Sequence, residues 1–264
     1  MRQIKAIAVI FLVMSLNPGC IHEDRSNCPT YLTLDFSDTP EDVSYIHLFI
    51  RSEDGKVFRD TIVRSEFADL YEVSFKRGQT DIAAFSDIDR MVYDNGYRIA
   101  EGDDADNLYT CFTTSVYRSD LSSDKITVLK NNIGLYIRVM GHASDNLYIV
   151  VESSSIGYDL HGNILDGNFE HRPEALHTPN DEEAYFEFFS RITRQKDESL
   201  TLTVYTTSGA TVAVIRLFPL LVEAGIDMND ESLEDLYLTV DHTLSSLIVS
   251  PDGWDSTEHT EILF

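Results

Sequence analysis

The chain is short of cysteine, tryptophan, proline and positive charge. Its 264 residues include three cysteines, one tryptophan and seven prolines. Twenty Lys and Arg face 45 Asp and Glu, for a formal net charge of −25. So few basic residues exclude a nucleic-acid-binding surface, which needs clustered cations against phosphates. A disordered chain is excluded as well, because 43% of the residues are hydrophobic and can build a core. After Cys20 no apolar run approaches the ~18 residues of a membrane helix. The patterns G-x-S-x-G, G-x-G-x-x-G, Walker A and H-E-x-x-H are all missing. No carboxylate pair stands out among the 45 acidic residues, so a glycosidase has no support. The sequence therefore assigns no catalytic residue and no cofactor, and the protein is read as a non-enzyme.

The few cysteines are placed unevenly. In "LNPGCIHEDRSNC" (16–28), Cys20 and Cys28 stand close together, and Cys111 follows alone. Arg2 and Lys5 are the only charges before residue 22, and "AIAVIFLVM" (6–14) is wholly apolar. A basic start, a short apolar run and small residues before a cut describe a secretory signal, too short to span a bilayer. Gly19 directly before Cys20 points to the lipoprotein variant, cut between Gly19 and Cys20. Cys20 then carries diacylglyceryl and N-acyl groups. The place three before the cysteine holds Asn17, where such boxes usually have Leu, and Leu16 sits one earlier. An ordinary signal peptide cut nearby is the alternative. A chain beginning at Cys20 has 18 basic against 45 acidic residues. Such a surface repels anionic lipid, so the protein is expected to stand off the membrane on its acylated N-terminus.

What is abundant is strand-forming sequence. Period-two alternation marks "YLTLDF" (31–36), "YIHLFI" (45–50), "LYEVSF" (70–75), the weaker "TDIAAF" (80–85) and "LYTCFTTSVY" (108–117). A second series comprises "IGLYIRVM" (133–140), "NLYIVV" (146–151), "AYFEFF" (184–189), "LTLTVYT" (200–206), "TVAVIRLF" (211–218), "LYLTV" (236–240) and "SLIVS" (246–250). Only "FPLLVEAGI" (218–226), with Pro219 early and Gly225 late, reads as helix. The expectation is an all-β protein of two tandem β-sandwich domains. They occupy 30–130 and 131–264, after a signal peptide (1–19) and a lipidated tether (20–29). Residues 152–182, rich in turn formers, are expected to be one long loop of functional or mobile character.

Candidates for chemistry are few. Cys28 and Cys111 either form a disulfide, which an exported compartment permits, or are independent. His161, His171 and His177 lie near Asp159, Asp166, Glu170 and Glu174, but their spacing matches no ligand pattern, so no metal is expected. "EGDDADN" (101–107) lacks the ordered spacing of a calcium loop and reads as a solvated acidic turn. Trp254 in "PDGWD" either stacks on a sugar or caps the core.

"CIHEDRSNCPTYLTLDF" (20–36), with "LKNNIGLYIRVMG" (129–141) and the all-β pattern, resembles the FimB/Mfa family of fimbrial anchor lipoproteins. The resemblance covers nearly the whole mature chain. It implies two transthyretin-like sandwiches, an outer-membrane, surface-exposed location through acylated Cys20, and a fimbrial (pilin) subunit as partner. Glu23 and Asp24 resemble the signal that sends such lipoproteins to the outer face. The alternative function is a surface lipoprotein binding glycan or a host protein through loops at the sandwich ends.

In related fimbrial subunits a trypsin-like protease removes the first strand, and a neighbour's strand fills the groove. Here residues 26–50 contain neither Lys nor Arg. "YLTLDF" is therefore expected to stay in place, with Leu32, Leu34 and Phe36 inside the first domain. The partner would be held at another edge, in the second domain or at the C-terminal "EILF".

Overall fold

The computed structural model describes residues 28–88, 96–180, 183–251, 253–254, 256 and 259–263. Gly19 and Cys20 lie outside the described residues. In the first half, β1 (Pro29–Asp35), β2 (Tyr45–Ser52), β3 (Val57–Val63), β4 (Tyr71–Lys76) and β5 (Gly78–Ser86) follow in order. Next come β6 (Gly96–Arg98), β7 (Tyr109–Tyr117), β8 (Leu121–Lys125) and β9 (Leu129–Lys130). The second half contains β10 (Asn132–Met140), β11 (Leu147–Asp159), β12 (Ile164–His171), β13 (Ala175–His177) and β14 (Tyr185–Thr193). After β15 (Thr201–Thr206) and β16 (Thr211–Arg216) come the helix α1 (Leu217–Glu223), β17 (Leu236–Asp241), β18 (Ser246–Ser250) and β19 (Thr260–Leu263).

The first sandwich packs a sheet of order β4-β1-β8 on one of order β3-β2-β5-β7-β9. Leu32, Leu34 and Phe36 meet Ile46, Leu48, Ile50 and Ile82 between the sheets, all at most 1% exposed. The alternation of β1 and β2 is the mark of strands that bury one face. β5 alternates weakly for a physical reason. Ile82 and Ala84 face this core, while Ala83 and Phe85 on the opposite side join the core of the second half. A strand buried on both faces reads as a nearly continuous apolar run.

The second sandwich pairs a sheet of order β13-β14-β10-β17-β18-β19 with one of order β12-β11-β15-β16. α1 follows the expected segment. Leu217 and Leu221 are buried, Ala224 caps the end, and Gly225 takes the left-handed backbone (φ +85°) that a residue after a helix needs.

Two expectations are corrected. Residues 152–182 are not one loop: β11 runs to Asp159, turns into β12, and the chain then adds β13 to the opposite sheet. The ladder between β11 and β12 shifts register at Ser153–Ser155 and again at Ser155–Tyr158, and such bulges break the period-two pattern. Nor do the halves divide cleanly. β6, from the first half, pairs with Gly157–Asp159 of β11. β11 is long enough to pair with β15 over 147–152 and with β6 beyond it. Asn131, at the expected boundary, is buried. Its NH donates to Leu108 O (2.8 Å), its Nδ2 to Thr110 Oγ1 (2.9 Å), and its carbonyl accepts the Tyr158 hydroxyl (2.8 Å).

Candidate functional site

β1 is the central strand of its sheet, antiparallel to β4 and parallel to β8. The Thr30 hydroxyl donates to Ser119 O at 2.9 Å, and the NH of Tyr31 to Asp120 O at 2.9 Å. With Leu32, Leu34 and Phe36 fully buried, removing this strand would open the core and unpair two neighbours. Leu32, Leu34 and Phe36 thus lie where the sequence reading put them. A partner strand would have to add elsewhere, at an edge such as β3, β16 or β19. β16 leaves Val214 60% exposed and β19 leaves Leu263 75% exposed.

One end of the first sandwich collects the N-terminus and three turns. Pro29 is opposite Lys76, Gly78 is opposite Tyr117, and Ser52 is opposite Thr80. Residues 53–56, 76–79 and 118–120 therefore lie at the end where Cys28 enters. The second half lies toward the opposite end, since β9 pairs with Tyr109 and Thr110 of β7 before the chain crosses into β10.

The Cys28–Cys111 disulfide is not formed: both cysteines are free, Cys28 exposed and Cys111 half-buried. Cys111 precedes Tyr117 on β7 by six residues, about 20 Å along a strand. A disulfide needs Cα atoms within about 7 Å. Burial raises the Cys111 thiol above its ordinary pKa.

The three histidines do not converge. His161, at the tip of the β11–β12 hairpin, lies 3.0 Å from Arg51 Nη1 and 3.6 Å from Asp81. His171 faces Ser190 Oγ at 2.8 Å, and burial holds its pKa below the usual imidazole value. His177 packs at a tilt against Tyr185, ring centroids 4.8 Å apart, and lies 3.5 Å from Glu183. Among the described residues no group of three His, Cys, Asp or Glu is arranged to hold a metal ion. "EGDDADN" is not simply a solvated turn. Ala105 is buried, its NH donates to Arg191 O (2.9 Å), and Arg191 Nη1 returns a bond to Ala105 O (3.3 Å). The segment thereby straps the first half to β14.

Trp254 sits on the outer face of the six-stranded sheet. Arg138 lies 3.9 Å from its ring centroid and 4.5 Å from that of Tyr185, and Arg138 Nε donates to Glu187 at 3.0 Å. Tyr237 meets Trp254 edge-on at 5.2 Å and stacks on Tyr136 at 4.7 Å. One indole face is thus occupied by a guanidinium. This clasp was not legible in the sequence, because sheet register brings Arg138 beside Tyr185 and the β18–β19 connection folds Trp254 over them.

No protein-family model matches the chain, and no curated protein sequence matches it. Solved structures do. The chain is similar to the fimbrial anchor protein Mfa2 from Porphyromonas gingivalis, with TM-score 0.64 and 13% identity over 86% of this chain and 98% of that one. A candidate polysaccharide-binding protein from Bacteroides thetaiotaomicron gives TM-score 0.64 and 13% identity over 89% and 98%. A candidate adhesin from Bacteroides ovatus gives 0.61 and 10% over 86% and 95%. At these identities the likeness is one of fold: this is an all-β protein whose fold is similar to that of Mfa2.

Proposed function

We propose that the protein is a non-enzymatic, lipid-anchored surface protein that holds a fimbrial subunit at the outer membrane. Acylated Cys20 is the anchor, and the second sandwich is the part that meets the subunit. The observation that carries this reading is β1. A strand bonded on both sides, with its apolar face fully buried, suits a terminal element that keeps its own strand. A polymerising subunit would have to vacate that groove to accept a neighbour. The end-to-end fold likeness to a protein described as a fimbrial anchor supports the same reading. Trp254, the residue that favoured glycan binding, has one ring face on Arg138, which weakens that alternative.

The test is a native pull-down from detergent-solubilised outer membranes. A ladder of fimbrial subunits co-purifying with the protein is expected, together with loss of membrane retention for Cys20→Ala. Retention on a polysaccharide support with no subunit ladder would overturn the anchor reading.

A further inference from the structure

The end of the first sandwich that carries the N-terminus differs from the rest of the surface. Tyr31 and Leu121 are register partners on β1 and β8, so their side chains share one outer face, 56% and 76% exposed. Beside them lie Lys76 and Arg118, both exposed. Of the acidic groups in these turns, Asp120 pairs with Arg77 and Asp54 with Lys56 at 3.6 Å, which leaves Glu53 against the two cations Lys76 and Arg118. In a chain of net charge −25, this end is close to neutral and locally basic, with an aromatic and an aliphatic side chain in solvent.

Cys28 follows Cys20 by only eight positions, a span of at most ~29 Å even when fully extended. If Cys20 is held in the bilayer, this end is confined within that distance of the headgroups. Confinement by a short tether sets an effective concentration in the millimolar range, so a contact too weak to form from solution is populated. The chemistry matches. Lys and Arg pair with lipid phosphates, Tyr suits the headgroup layer, and a leucine can enter the acyl boundary. The acidic remainder of the surface is repelled by the same lipids, so this end alone can settle.

We infer that the end formed by Tyr31, Lys76, Arg118 and Leu121 is a membrane-facing surface that rests on the phospholipid headgroups. This rests on the lipid-anchor reading of Cys20 and goes beyond it. The protein does not merely hang from its acyl chains; it stands on this end. The far end of the second half, including the β17–β18 turn with Leu244, then points away from the membrane.

The test uses the full acylated chain in vesicles of phosphatidylethanolamine and phosphatidylglycerol, some carrying brominated acyl chains. In a Cys28→Ser, Cys111→Ser background, a polarity-sensitive fluorophore is placed at Leu121→Cys or, for comparison, at Leu244→Cys. Both sites are exposed, 76% and 69%, so neither substitution disturbs the core. Expected are a blue shift and bromolipid quenching at position 121 and neither at 244. Lys76→Glu with Arg118→Glu should reduce the quenching at least twofold while the protein stays vesicle-bound. Equal quenching at both positions, or none at 121 in vesicle-bound protein, overturns the inference and leaves the anchor reading standing. A blue shift at 121 without quenching means that a protein covers the patch, and also overturns it. Acylated protein that fails to float with the vesicles refutes both.

Discussion

Gly157 and Tyr97 approach so closely across the β6–β11 ladder that a Cβ on Gly157 would fall inside the Tyr97 carbonyl oxygen. Gly157 also adopts φ +146°, and Gly96, one residue before Tyr97, adopts φ +123° against the Tyr158 carbonyl. Two glycines thus admit a strand of the first half into a sheet of the second. With Phe49, Ala83 and Phe85 buried in the same core, the halves form one packed body. Force entering at the N-terminal end of β1 would pass through hydrogen bonds and packed rings rather than a loose linker.

Gly157→Ala should cost more than the ~1–3 kcal/mol of backbone strain, because the oxygen cannot move without breaking the ladder. Gly209→Ala, at φ +87° with nothing within 4 Å of the new Cβ, should cost only the strain. Urea unfolding of the two variants checks this. Equal midpoints would mean that the contact is not tight.

Leu34→Ala, at a fully buried place on β1, should cost about 2–5 kcal/mol. Intact mass of protein from native membranes should show β1 retained. A mature species beginning between Phe36 and Ser44, or at Ser52, would contradict the retained strand.

Arg138→Ala removes the cation between Trp254 and Tyr185 and should cost about 0.5–2 kcal/mol. Trp254 is the single tryptophan, so its emission reports directly on the clasp. A red shift is expected, and unchanged emission would show that the indole does not depend on Arg138.

Burial holds the His171 pKa below 6.5, with Asp104 and Asp103 opposing in part. The folded chain therefore binds its proton less readily than the unfolded chain. Stability from this residue is present above pH 6.5 and is lost as the pH falls from there toward the folded pKa. His171→Gln should lose less stability than wild type between pH 7.5 and 5.5. Parallel urea midpoints for both proteins would refute the assignment.

In native protein a thiol reagent should label Cys28 quickly and Cys111 slowly, since burial both shields that thiol and raises its pKa. Both Cys28 and Cys111 are expected to label after unfolding without reductant. Recovery of label only after reduction would reveal a disulfide.

Alternation alone placed most strands, including β1, β2, β10 and β14, and the Pro219–Gly225 frame placed the helix. A strand with one buried face carries a period of two wherever it goes, so its existence is a local property. Strands without that contrast were not legible. β3 and β8 are exposed edges, β6 has three residues, and β11, legible over 146–151, is bulged beyond it where a partner crosses from the other half. The retention of the first strand is expected because residues 26–50 lack Lys and Arg, and its burial was readable from its alternation. The cysteine separation, the Arg138–Trp254 clasp and the grouping of Tyr31, Leu121, Lys76 and Arg118 at one end were not. Each depends on register between segments distant in sequence, and register is set by how whole sheets bury their faces together, which only the tertiary structure decides.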